Sequence, residues 1–131
     1  MTEGKLVYIA SPYAGDVEGN VEFAKAACRY AAAKGYTPVA VHLMYPQFLN
    51  DRVPKEREAG LKMGRRVLAV CEEIWLCGER MSAGMKAEEA EDKRLGIPIR
   101  KVPSSDICSF QKQIEGQRRE EPAGMEAMTL C

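Results

Sequence analysis

KLVYIASPYAGDVEGNVEFAKAACRYAAAKGYTPVAV, residues 5 to 41, decides the fold. Lys5 to Ala10 is a short apolar run rich in strand formers, and Ser11-Pro12-Tyr13-Ala14-Gly15 breaks it with turn residues. Asp16 is an N-cap type placed just before a helical pattern. From Val17 to Lys34 the residues Val21, Ala24, Cys28 and Ala31 recur at spacings of three and four, the period of a helix face. Gly35 follows, where a left-handed residue closes a helix. Tyr36 to Val41 then predicts a second strand, with Pro38 limiting its hydrogen-bond ladder. Strand, helix, strand at this spacing is a βαβ unit and implies parallel pairing.

The rest of the chain continues the alternation. His42 to Leu49, HLMYPQFL, predicts a loop or short turn, unusually apolar for one, which suggests that it lines something. Pro54 suits the first turn of a helix that extends to about Val70, with Leu61, Gly64 and Leu68 on one side. Glu73 to Cys77, EIWLC, predicts a third strand, Met85 to Leu95 a helix closed by Gly96, and Ile97 to Val102 a fourth strand. The expectation is an α/β domain, a doubly wound (flavodoxin-like) parallel sheet of four or five strands with helices on both faces, over residues 1–103. Residues 104–131 have few large apolar residues, and the run EGQRREE lies within them. They predict one helix from about Asp106 to Glu120 and then a disordered tail.

Composition narrows the function. The chain has 131 residues, 46% hydrophobic and 29% charged, with 19 basic and 19 acidic side chains, so the net charge is zero. That argues against a nucleic-acid scaffold or a polybasic membrane binder. No apolar run approaches the roughly 20 residues of a membrane helix, and the first apolar run is too short for a secretory leader. A cytoplasmic protein is the default expectation. Five cysteines without a Cys-x-x-Cys pair, and one histidine, His42, make a zinc site improbable and reduced thiols the simpler reading.

Ligands of open α/β sheets bind at the carboxyl ends of the strands. Those ends are Ala10 to Tyr13, His42 to Tyr45, and Gly78 to Gly84. P-loop, Rossmann and nucleophile-elbow glycine patterns are absent from all three. What remains is a loop of small residues, then Glu88, Glu89, Glu91 and Asp92 crowded into the start of a helix. A carboxylate in a first turn is held ionised by the helix dipole, which suits a nucleophile. From spacing alone, Glu88 reads first as a solvated acid on a charged face. Glu89 and Glu91 read as surface acids that Lys93 or Arg94 can partner, and Tyr45 and Phe48 as pocket wall or dimer contact.

At VYIASPYAGDVEGNVEFAKAACRYAAAKGYTPVAVHLMYPQFLND and IWLCGERMSAGMKAEEAEDKRLGIPIRKV the sequence resembles the nucleoside 2-deoxyribosyltransferase-like superfamily, near its 2-deoxynucleoside 5-monophosphate N-glycosidases. The resemblance runs from about Lys5 to Val102. It implies cleavage or transfer at an N-glycosidic bond through a covalent glycosyl-glutamate, without metal or organic cofactor, by the logic of a retaining glycosidase. The family's nucleophile falls on Glu88, and its strand tyrosine on Tyr8, which would orient that carboxylate. Ser11, Pro12, Tyr13 and His42 match positions around base and sugar. Ser82 and Gly84 match the loop that meets the 5′ end. The free-nucleoside transferases carry an aspartate where this chain has Ser82, which tilts the expected ligand toward a nucleotide. The family's proton donor falls by offset near Gly64, leaving Glu58, Asp51 or His42 to take its place. The resemblance also implies a homo-oligomer. The alternative is a binding protein that holds a nucleotide or nucleotide-derived signal without turning it over.

Overall fold

The computed structural model describes residues 4–12, 16–79 and 81–118. Four strands form one all-parallel sheet: β1 (Leu6–Ala10), β2 (Thr37–Val39), β3 (Glu73–Cys77) and β4 (Ile99–Val102), in the spatial order β2-β1-β3-β4. Between and after them come α1 (Val17–Ala33), α2 (Val41–Met44), α3 (Pro54–Val70), α4 (Ala83–Leu95) and α5 (Ser104–Arg118). This is the doubly wound α/β arrangement expected, with four strands.

Side-chain alternation along the strands separates two cores. Val7, Ile9, Trp75 and Cys77 point to one face and pack with Ala27 and Ala31 of α1 and Ile107 of α5. Tyr8, Ala10, Ile74 and Leu76 point to the other and pack with Val41 of α2, Leu68 of α3 and Met85 of α4. The interleaved register, Tyr8 beside Ile74 and Ile9 beside Trp75, keeps each set on its own face. α5 packs on α1, where Phe110 meets Tyr30 edge-on at 5.7 Å, and Ile107 is 1% exposed, so this helix completes the first core. The tail expected after it lies outside the described residues.

The local signals explain the helix limits. Asp16 accepts the Gly19 N–H at 3.1 Å and caps α1. Gly35 (φ 90°) and Gly96 (φ 74°) take the left-handed conformation that ends α1 and α4. In each case the next residue's N–H reaches back, Tyr36 to Ala31 O and Ile97 to Asp92 O, both at 3.1 Å.

Among the boundaries that differ from expectation, three have a plain physical reason. β2 stops at Val39, and the stretch expected as its end and a loop is instead α2 followed by a 3-10 turn, Tyr45–Gln47. β1 offers pairing only as far as Tyr8 with Val39. Beyond that point the backbone satisfies itself locally, Leu43 N–H to Ala40 O and Phe48 N–H to Tyr45 O, both at 3.0 Å. β4 begins at Ile99 because Pro98 has no N–H to give; its carbonyl accepts from Ile74 N at 3.0 Å. β2 tolerates Pro38 because it is an edge strand.

Candidate functional site

A cleft of about 910 Å³ opens on the face that carries α2, α3 and α4. Its floor is Tyr8 of β1, with Ser11 just past the strand's carboxyl end. One wall is Val41, His42 and Tyr45, placed there because the chain turns helical directly after β2. α3 contributes Arg57, Leu61, Arg65 and Leu68, and α4 contributes Ser82, Met85, Glu88, Glu91 and Arg94. The α4 set recurs every third residue and, with Ala87 and Ala90, winds along the helix beside the cleft. A smaller depression of about 300 Å³ lies at Pro46, Leu49, Asn50 and Asp51 on the rim.

Two hydrogen-bonded pairs among the residues expected at the site stand in the cleft. Tyr8 Oη donates to Glu88 Oε2. Ser11 Oγ and His42 Nε2 share a hydrogen bond of 2.8 Å. The structure thus brings together four of the residues singled out in the sequence, two by two.

Glu88 differs from its expected character. α4 starts at Ala83, capped by Ser82 Oγ accepting the Met85 N–H at 3.1 Å, and its first turn carries no acid. Glu88 therefore lies in the second turn, where the dipole is weak. Burial pushes its pKa up, and the Tyr8 hydrogen bond opposes that shift. The expectation of a carboxylate held ionised by the helix terminus is corrected accordingly: desolvation dominates, and Tyr8 supplies the counterweight. The Tyr8 phenol is itself pushed above its usual range by burial and by the Glu88 charge, so it keeps its proton and can donate a hydrogen bond to Glu88. Burial lowers His42 to about 4, so its imidazole is neutral near pH 7.

The remaining expected residues divide. Ser82 lines the cleft, and Gly84 lies in the first turn of α4. Pro12 is buried and is not part of the lining. Tyr13 lies outside the described residues. Of the three candidates for the proton donor, Glu58 pairs with Lys62 at 3.4 Å and does not line the cleft, whereas Asp51 and His42 do. Tyr45 is pocket wall; Phe48 packs edge-on against it at 5.9 Å but is 62% exposed.

The cleft also has a cationic side, where Arg65 stands with Arg57 and Arg94. Arg94 donates to Glu91 through Nε at 3.2 Å and Nη2 at 2.5 Å, and this bonding, with the Arg65 charge nearby, holds Glu91 below the usual carboxylate range.

Among the described residues, no group of three or more His, Cys, Asp or Glu could hold a metal ion, and no helix is long and apolar enough to cross a membrane. Cys28, Cys71, Cys77 and Cys108 are free thiols. Burial pushes Cys28 and Cys71 up to about 11 and Cys77 to about 12, so none of these three is a ready nucleophile.

Fold and site together define a small parallel α/β domain with a cleft over the first strand, furnished with a Tyr–Glu pair and a Ser–His pair. The chain belongs to a family described as a domain of unknown function, DUF7768, whose model matches residues 5–102. That segment spans β1 to β4 and contains both pairs. No curated protein matches the chain.

Proposed function

We propose that this cleft takes a nucleoside or nucleoside monophosphate and cleaves, or transfers at, its N-glycosidic bond, with Glu88 as nucleophile. The observation that carries the reading is the Tyr8–Glu88 hydrogen bond beneath an open cleft. A carboxylate stripped of water by burial is a stronger nucleophile once ionised, and a phenol donating to one oxygen favours ionisation and fixes the other oxygen's direction. The Glu88 oxygen bonds to C1′ as the C1′–N bond breaks, and that electron pair leaves with the base, which takes a proton from solvent. Water or a second base then takes the sugar from Glu88.

Ser82 supports a ligand with a 5′ phosphate. Its oxygen is used to cap α4, but its hydroxyl proton remains to be donated. Arg57, Arg65 and Arg94 add cationic lining for the same charge. The reading carries a homo-oligomer with it: Leu61 on the cleft wall is 53% exposed and Phe48, packed on Tyr45, is 62% exposed, apolar surface that a second copy would cover.

The rival reading is a binding protein of the same ligand class, favoured by Gly64 standing where a proton donor is expected. Free base released from the deoxynucleosides, their 5′-monophosphates and the ribo counterparts separates the two. Release abolished in Glu88→Gln supports the enzyme. A nucleotide that raises the melting temperature yet is recovered intact after long incubation refutes it and leaves the binder.

A further inference from the structure

The cleft holds a second polar pair that the nucleophile does not use. Ser11 and His42 both line it, and they share a 2.8 Å hydrogen bond. In the sheet order β2-β1-β3-β4, the β1 strand under the cleft has different neighbours on its two sides. His42 comes from the segment after β2, and Glu88 comes from the helix after β3. The two therefore approach the floor residue Tyr8 from opposite flanks. A sugar bound covalently to Glu88 must be attacked from the face opposite to Glu88, which is the flank that carries His42.

We propose that the Ser11–His42 pair is the general base that activates the water in the second half of the reaction. This inference rests on the reading of Glu88 given above. The water oxygen bonds to C1′ while its proton passes to Ser11 Oγ and the Ser11 hydroxyl proton moves to His42 Nε2. The C1′–Oε bond breaks with its electron pair returning to the Glu88 carboxylate, and the imidazolium releases its proton to solvent. Nothing is oxidised or reduced. The buried imidazole is neutral near pH 7, as a proton acceptor must be. Gly64 leaves α3 without a group for this task, and Glu58 faces elsewhere.

The test separates the two half-reactions. The full-length protein and its His42→Ala and His42→Asn variants are incubated with each of the four deoxynucleoside 5′-monophosphates, and free base and intact protein mass are followed together. The expected result is steady base release by the unaltered protein. Each variant releases about one equivalent of base and then turns over roughly a hundredfold or more slower, with a sugar phosphate retained on the protein. Azide, an anionic nucleophile with no proton to lose, restores turnover in the variants, which a purely structural role for His42 would not allow. The proposal is overturned if either variant hydrolyses at the unaltered rate, or if the first equivalent of base is lost along with turnover and azide restores nothing. Absence of base release from the unaltered protein overturns the glycosidase reading itself, and this inference with it.

Discussion

Asp92 lies one helical turn beyond Glu88 on α4, with 0% of its surface exposed and neither carboxyl oxygen hydrogen-bonded among the described residues. A buried, unpaired carboxylate is costly. Burial first, and the Glu89 charge second, push its pKa from 3.8 to about 6. At about 1.4 kcal/mol per pH unit of displacement, those roughly two units amount to about 3 kcal/mol. The sign follows from which state holds the proton. Below the unfolded value both states are protonated and the group costs nothing. Between the two values only the folded state keeps its proton. Above the folded value the whole cost is present. Stability from this group is thus complete at low pH and is lost as pH rises through about 6.

The perturbation is Asp92→Asn, nearly the same shape without a titration. The assay is urea unfolding of both proteins at about pH 4 and about pH 7.5, where every other titrating group cancels in the difference between them. At about pH 4 more than half of the unfolded Asp92 is already ionised, so the stability of the variant relative to the unaltered protein should rise by about 2.4 kcal/mol between the two conditions. A difference equal at both would refute the reasoning, because it would mean that Asp92 ionises in the folded state as easily as in the unfolded one.

Tyr8→Phe removes the hydrogen bond that opposes the burial of Glu88, so the Glu88 pKa moves further up. Base release should then fall roughly ten- to a hundredfold on the acid side of its pH profile, and the limb should shift to higher pH; an unmoved limb would mean that Tyr8 does not tune Glu88. Gly64→Ala should stabilise the protein by about 0.5–1 kcal/mol in urea unfolding. The added Cβ would meet Tyr8 Oη at 3.7 Å and Val41 Cγ2 at 3.9 Å, ordinary contacts, and a helix-interior glycine would be gone. A loss of stability would show that α3 cannot hold its distance from β1.

Elements with strong local signals were legible in the sequence. EIWLC is β3 from end to end, and Asp16 and Gly35 bracket α1 as their chemistry requires. α2 was not, because four residues are too short to display a period and its helical turns form only where the β1 ladder runs out. The Tyr8–Glu88 pair joins residues 80 positions apart, and no local pattern encodes which strand residue lies under which helix turn. Only the family resemblance put the two together. The protonation bias of Glu88 was misjudged for the same reason. Proximity to a helix start is visible in a sequence, whereas the burial that outweighs it is a product of packing.

Position 64 shows how the two kinds of information combine. The sequence raises a question there, since the resemblance asks for an acid and the chain supplies glycine. The structure places a Cβ at that position 3.7 Å from Tyr8 Oη, under the same cleft as Glu88. A carboxylate on that Cβ would stand against the one proton that Tyr8 has to donate and would compete with Glu88 for it. It would also set a second negative charge near a carboxyl whose ionisation already suffers from burial. With glycine at 64, Tyr8 serves Glu88 alone. Under the proposed reading, activation of the water then falls to a group approaching from another element, and on the far flank of β1 the cleft carries His42 with Ser11. Glycine at 64 thus leaves the buried Tyr–Glu pair clear on the α3 side, and the Ser–His pair meets the cleft from the other flank.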